Sequence, residues 1–366
     1  MKKLRSGYTT GACAAAAGKA AAMLLLTGIK HESVEIPFPD GYRVKFKLES
    51  LQVIDHVKHI AKASIIKDAG DDPDVTNGAI IEATVRYAGK EQSGDEVFKI
   101  YGGKGVGTVT KRGLAIPVGE PAINPVPRKM IRAAVAEAVL ESNCNASTQL
   151  EITISIPEGE ILAEKTLNHR LGIIGGLSVL GTTGVVRPVS AAAWTATIAT
   201  SMDVAKAAGI DEVILSTGRT SEKAVQEYLE FPEEAQVMMG DYLHFSLVEA
   251  AKHNFAKIHL SAMWAKIIKC GMQIPQTHVR NGALEIPAAL EFLKKLDCNA
   301  KLLQSLEGSN TAREIYGRLL DCGEERVIAR VCGAAKEYAE KVSGLDVTVY
   351  LVDATTSIVF QTEEEQ

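Results

Sequence analysis

The sequence predicts an α+β domain with a mixed sheet over residues 1–188, followed by a three-layer α/β, Rossmann-like domain over residues 189–366. Three observations carry this. The chain has 366 residues, more than one small core accommodates, so two domains are the natural division. Up to about residue 187, β-rich runs follow one another through short links, with few helices between them. Beyond it, short apolar strands alternate with amphipathic helices, the order of parallel βαβ units with helices on both faces. The change of order places the boundary within residues 185–195.

The first element is a helix over residues 12–26, almost wholly of small residues. Alanine is the best helix former, Thr9 and Thr10 are capping residues at its start, and Gly28 supplies a C-terminal stop. Residues 34–38 and 42–48 read as strands around the turn Pro39-Asp40-Gly41. Residues 61–66 and 79–87 are β-rich and enclose an acidic loop. Residues 96–100 lead into a glycine loop, and 109–118 continue as strand. A proline-dense stretch at 117–127 introduces a helix over 128–141, and 150–156 is a further strand. In the second half a helix over 190–208 precedes strands at 212–216, 236–238 and 257–260, separated by helices at 220–229 and 241–253. Helices at 286–295, 311–320 and 324–342 come next, then a strand at 347–352 and a disordered tail at 363–366.

Hydrophobic residues make up 46% and charged residues 23%, the balance of an ordinary folded protein. The net charge of -5 argues against a nucleic-acid partner, which calls for basic excess. Six cysteines without a C-x-x-C pair suit reduced thiols in cytoplasm better than a disulfide framework or a zinc site. Lys2, Lys3 and Arg5 before an apolar stretch imitate a signal peptide, but Tyr8, Thr9 and Thr10 break the approach and Lys19 interrupts the apolar run. No run elsewhere reaches the ~20 residues that span a bilayer. A cytoplasmic location without a membrane partner is therefore expected.

Several constellations could carry chemistry. Asp68, Asp71, Asp72 and Asp74 fall within seven residues of one loop. Such density can bind Mg²⁺ or Ca²⁺, or simply cap local N–H groups in a turn. The calcium-loop pattern fails, because counting from Asp72 puts Asn77 where glycine is required and Ala83 where glutamate is required. The glycine loop Gly102-Gly103-Lys104-Gly105-Val106-Gly107 fits neither nucleotide motif. Lys104 is followed by Gly105 instead of Ser or Thr, and a β-rich run follows instead of a helix. What remains is backbone free to approach an anion, or a hairpin. Arg128, Lys129 and Arg132 oppose the dipole of the helix they begin, as expected either of groups that bind an anion together with the helix end or of side chains that point into solvent. Arg187, directly after Thr182-Thr183-Gly184, reads the same way. In the second half, Ser216-Thr217-Gly218-Arg219-Thr220-Ser221-Glu222 follows a strand and opens a helix, where open α/β sheets bind ligands. His278 follows Thr277 just beyond a helix, a place open to proton transfer or to a structural role.

Five blocks in one order resemble the CbiD family, the cobalt-precorrin-5B C1-methyltransferases of anaerobic cobalamin biosynthesis. They are LRSGYTTGACAAAAGKAAAMLLLTG (4–28), KDAGDDPDVT (67–76), GGKGVGTVT (102–110), GEPAINPVPR (119–128) and LGTTGVVRP (180–188), with a looser match at Thr277-His278. The resemblance implies methyl transfer from S-adenosyl-L-methionine to C1 of an anionic tetrapyrrole, with cobalt only as part of that substrate and no protein-bound metal. It makes Asp68, Asp71, Asp72 and His278 candidates for catalysis. Thr9, Thr10, Lys104, Arg128, Thr182, Thr183 and Arg187 become candidates for substrate binding, and Gly103, Gly105, Gly107, Gly218 and Glu222 for donor binding. A homo-oligomer is compatible with this reading. Two departures accompany it: Asn77 stands where the family pattern leads one to expect His, and Trp264-Ala265 stand where it leads one to expect Gly before Lys266. The usual methyltransferase glycine motif is absent, so the donor rests on the resemblance alone. Two other classes compete, a Mg²⁺-dependent phosphotransferase using the glycine and acidic loops, and a non-catalytic corrinoid-binding protein.

Overall fold

The computed structural model describes residues 4–90, 97–144, 148–277 and 284–362. The chain divides into two compact units, 1–190 and 191–366, and its architecture is α+β with several sheets. The expected tail at 363–366, His278 and the first residue of the 96–100 strand lie outside the described residues.

The first unit opens with strand β1 (Gly7–Tyr8) and helix α1 (Thr10–Thr27). The Thr9 side chain accepts from the Ala12 N–H at the start of α1, and Gly28 closes it in the left-handed conformation with φ 72°, a geometry glycine adopts without strain. By length and composition α1 could cross a membrane, but most of its residues are buried in the first unit's core. Strands β2 (Ser33–Pro37) and β3 (Arg43–Lys47) form a hairpin. The main sheet holds β4 (Ser50–Asp55), β5 (Ile60–Ile66), β6 (Ile80–Lys90), β7 (Phe98–Gly102) and, after the short strand β8 (Thr108–Val109) and helix α2 (Pro125–Glu141), strand β9 (Thr148–Ser155). Its order is β4-β5-β6-β9-β7. All pairs are antiparallel except β7 with β9, whose crossover contains α2, so the sheet is mixed. Helix α3 (Gly159–Ala163) and strands β10 (Ile173–Ile174) and β11 (Val185–Val186) complete the unit.

Helices α1 and α2 pack against each other with their N-termini at the same end. A side-chain carbon on Gly11 would meet Pro127, one on Gly18 would meet Val135 and Ile131, and the Lys19 ammonium reaches Glu137 and Glu141 at 2.9 and 2.8 Å. The alanines of α1 permit this approach; the polar residue Lys19 is tolerated because both carboxylates and the Glu35 carbonyl at 3.0 Å satisfy it.

In the second unit α4 (Ala191–Ala207) precedes β12 (Glu212–Ser216), α5 (Arg219–Leu229), β13 (Gln236–Met238), α6 (Leu243–Lys252), β14 (Lys257–Met263) and α7 (Trp264–Gly271). Helices α8 (Ile286–Lys295), α9 (Ala300–Leu306), α10 (Ala312–Asp321) and α11 (Glu325–Ser343) lead to β15 (Asp346–Val352) and β16 (Ile358–Gln361). The sheet order is β13-β12-β14-β15-β16, parallel in its first four strands, with β16 antiparallel to β15. Val213, Leu215, Ile258, Leu260, Val347 and Val349 pack on one face with residues of α4, α6, α7 and α11. On the other face Ile214 and Tyr350 pack with Val225 of α5. Strand alternation delivers successive side chains to opposite layers.

One expectation is corrected here, and one strand was not expected. Residues 109–118 are not a strand: only Thr108–Val109 pairs, with β10, because Gly113, at φ 99°, and Pro117 turn the chain before a ladder can extend. Conversely β4 is an edge strand half-exposed along its length, so its sequence lacks the apolar run that marks an inner strand.

Candidate active site

Three distant segments of the first unit are stitched together at the end where α1 and α2 begin. β1 pairs with β11 in antiparallel register, Gly7 opposite Val186 and Tyr8 opposite Val185. The Gly11 N–H donates to the Leu180 carbonyl at 3.0 Å and the Thr9 N–H to that of Gly184 at 3.0 Å. The Leu180 N–H donates to Thr10 Oγ1 at 2.9 Å. At the start of α2 the Asn124 N–H donates to the Val179 carbonyl at 3.0 Å. Two helix N-termini, each carrying partial positive charge, therefore face the same 177–186 segment.

The acidic loop is the third thread. The Arg5 guanidinium binds Asp68 at 2.5 and 2.8 Å, and the Arg5 N–H donates to Asp71 Oδ2 at 2.7 Å. The Val189 N–H donates to Asp72 Oδ1 at 2.8 Å. Hydrogen bonding from Arg5, then from the Gly70 N–H, holds the Asp68 carboxyl below the usual range. Each of the three candidate carboxylates thus clasps a neighbouring segment. Asn77, where the family pattern suggested His, accepts from the Ala69 N–H at 2.9 Å and stabilises the same turn. Among the described residues, no three His, Cys, Asp or Glu side chains are placed to share a metal ion.

Sequence reasoning passed over the loop's first and last charged members. The Lys67 side chain is 1% exposed and its ammonium lies 2.5 Å from Asp74 Oδ2. Asp74 Oδ1 accepts from the Thr76 N–H at 2.7 Å and the Thr76 hydroxyl at 2.6 Å. Burial alone would push the Asp74 carboxyl up; Lys67 and Thr76 outweigh it and hold it below the ordinary value. Both residues line a cavity of about 290 Å³ together with Thr9, Thr10, Lys165, Asn168 and Ser178. The legible signal was a lysine directly after the apolar strand end Ile65-Ile66, where the chain turns inward. Nearby, burial pushes the Cys13 thiol up to about 12, so it holds its proton at neutral pH and is no nucleophile.

The remaining candidates fall in different places. Thr182 and Arg187 are exposed on the segment beside β11, and the Thr183 hydroxyl donates to the Val185 carbonyl at 3.2 Å. Arg128 Nε donates to the Ile123 carbonyl at 2.9 Å, and its guanidinium meets Glu120 at 3.3 Å. These acceptors offset the cation at the α2 N-terminus, which the sequence left to an external anion. The glycine loop is also taken up internally. The Gly103 N–H donates to the Ile154 carbonyl at 2.7 Å and that of Gly107 to Leu177 at 2.9 Å. Gly105, at φ 71°, sits so close that a side-chain carbon would lie 1.9 Å from the Ile156 carbonyl oxygen. These glycines are explained by packing on β9 and the 173–177 segment, while Lys104 stays exposed.

Gly218 and Glu222 lie in the second unit, at the carboxyl edge of its parallel strands. Gly218 caps α5, and the space where its side chain would stand is open. The Thr217 N–H donates to the Ser261 carbonyl at 3.2 Å and that of Met239 to Ser216 at 2.9 Å, which ties the residue after β12 to β14 and the residue after β13 to β12. The Trp194 indole N–H donates to the Met239 carbonyl at 3.3 Å, and its ring stacks on Tyr242 at 6.4 Å. Thr277, beside the candidate His278, donates through Oγ1 to Asp241 at 3.0 Å, and Asp241 also pairs with Lys266. A larger concavity of about 440 Å³ between α5 and β16 has Glu227 as its charged residue and no cation to meet an anionic ligand.

Fold and site define a class: a two-unit α+β protein with a cation-lined cavity at paired helix N-termini and a parallel sheet whose loops converge at one edge. Residues 1–188 match the CbiD family model and residues 276–363 the model of the CbiD C-terminal domain. The chain belongs to the CbiD family. A protein named cobalt-precorrin-5B C(1)-methyltransferase from Desulfotalea psychrophila is 54% identical over 98% of both chains. One of the same name from Geobacter metallireducens is 43% identical over 98% of this chain and 99% of that one. A crystal structure of a cobalamin biosynthesis protein (cbiD) from Archaeoglobus fulgidus is 27% identical, covering 87% of this chain and 85% of that one, with a TM-score of 0.39.

Proposed function

We propose that the chain is a cobalt-precorrin-5B C1-methyltransferase that takes its methyl group from S-adenosyl-L-methionine and releases cobalt-precorrin-6A. The observation that carries this is the 54% identity, over 98% of both chains, to a relative of that name. The geometry agrees in kind. A substrate edged with carboxylates calls for cations and helix N-termini, and Lys67, Lys165 and the starts of α1 and α2 are gathered at one end of the first unit. Arg187 beside β11 extends that end outward. Asp68, Asp71 and Asp72 act on this reading by holding the segments that carry it, and the glycine loop serves as scaffold.

The second unit is, on this proposal, the Rossmann-like donor domain. Its strand order, with four parallel strands, is the doubly wound arrangement that reverses direction between β12 and β14, and ligands of such sheets bind at the carboxyl edge of that reversal. The residues there suit the donor: the open N-terminus of α5 at Gly218 for its carboxylate, the stacked Trp194 and Tyr242 rings for its base, and Glu222 for its hydroxyl or amino groups. The sulfonium supplies an activated methyl group, so the protein's share is to orient the ring carbon in line with it and to exclude water. The test is equilibrium binding of S-adenosylhomocysteine to the full chain and to Gly218→Val. Binding that the substitution weakens at least tenfold is expected; undiminished binding would move the donor elsewhere.

A further inference from the structure

We infer that the 290 Å³ cavity receives one carboxylate-ended side arm of the substrate, of about propionate length, while the ring stays outside. The inference rests on the function just proposed and names which part of that substrate the site takes. Size sets the first limit: pockets that enclose a drug-sized ligand occupy about 300–1,000 Å³, so this cavity is too small for a four-ring macrocycle.

Charge sets the second. An ammonium has three N–H donors. Lys67 gives one to Asp74, and among the described residues its other two have no acceptor although its side chain is 1% exposed. A buried donor left without an acceptor is costly, and an arriving carboxylate would supply one. Among the described residues, Lys165 is exposed at the same cavity without an ion-pair partner, and the half-buried Ser178 hydroxyl there has no hydrogen-bond partner. Two ammonium groups face one carboxylate, Asp74, so the lining carries an excess positive charge. Asp74 does not repel the arm, because Lys67 neutralises it at 2.5 Å. The arm's carboxylate would bridge Lys67 inside and Lys165 outside, with Ser178 donating to it.

Saturation-transfer NMR with sodium propionate, on the full chain, tests this independently of turnover. Propionate should receive saturation from the wild-type chain, lose most of it with Lys165→Gln, and lose part with Ser178→Ala. Lys165 is exposed, so its variant should fold as wild type. In methyl-transfer assays propionate should compete with the corrinoid, and Lys165→Gln should raise KM roughly three- to tenfold with kcat little changed. No transfer to propionate in wild type, or transfer equal in Lys165→Gln, overturns the inference even where methylation proceeds. Propionate binding that depends on Lys165 in a chain with no methyl-transfer activity upholds the pocket and removes the proposed reaction.

Discussion

Gly11→Ala and Gly18→Ala place the same methyl group on the same helix and should have opposite effects. At Gly18 the new carbon would lie 3.5 Å from Val135, with Ile131 and Ile152 at 3.8 and 3.9 Å, which is ordinary contact. The helix gains the alanine preference, about 0.8–1 kcal/mol in a helix interior, and the chain should become more stable by up to that amount. At Gly11 the carbon would lie 2.7 Å from Pro127 Cγ, 3.0 Å from its Cβ and 3.1 Å from the Leu180 oxygen. The proline ring cannot swing aside, so the starts of α1 and α2 must part or the 177–181 segment must move. Overpacking of this kind costs about 1–3 kcal/mol, little offset by propensity in the first turn. Urea unfolding followed by far-ultraviolet circular dichroism should show the first unit destabilised in Gly11→Ala and slightly stabilised in Gly18→Ala. Both tryptophans, Trp194 and Trp264, belong to the second unit, so their fluorescence transition serves as an internal control and should hold steady. Because Leu180 and Thr10 line the cavity, Gly11→Ala should also raise KM for the corrinoid. Wild-type stability and KM in Gly11→Ala, or a loss in Gly18→Ala, would refute the parallel packing of the two helices.

Arg187→Ala should weaken corrinoid binding, and the deficit should shrink as ionic strength rises from low salt to about 0.5 M, because exposed charges are screened; absorbance titration of the corrinoid reads this, and a salt-independent deficit would point to packing instead. Glu137→Gln should destabilise the first unit by about 1–3 kcal/mol in thermal melts, since Lys19 and Arg43 would exchange a carboxylate for a neutral amide oxygen, leaving Glu141 as the charged acceptor of Lys19. The Arg43 guanidinium first, and Lys19 with it, hold the Glu137 carboxyl down to about 2. A depressed carboxylate contributes stability above its unfolded value, 4.5, and that contribution fades as pH falls toward 2. The gap between wild type and Glu137→Gln should therefore close in acid; a gap that widens there would contradict the ion pairing.

Capping and stop residues made α1 legible: Thr9 and Gly28 bound it in the structure as their chemistry requires. The parallel strands of the second unit were legible because their apolar runs are short, regular and separated by amphipathic helices. What sequence could not supply is relative placement. Nothing in the small-residue pattern of α1 says that α2 lies parallel to it, yet that orientation gathers the two N-termini. The acidic loop was legible as a turn, but its carboxylates draw attention from Lys67, whose burial depends on strands and segments far away in the chain. The glycine loop misleads for a related reason. A glycine required by the Ile156 carbonyl and a glycine required by a phosphate read alike until the neighbouring strand is in place. Helix α9 was missed because it is short, at Ala300–Leu306, and lacks a long periodic signal.

The central claim, methyl transfer to one ring carbon, is tested most directly by incubating the full chain with cobalt-precorrin-5B and S-adenosylmethionine carrying a carbon-13 methyl group, then locating the label by NMR. The account predicts one label on C1, formed without added divalent metal or nucleoside triphosphate. Metal-dependent hydrolysis of a nucleotide with no label on the corrinoid would contradict it.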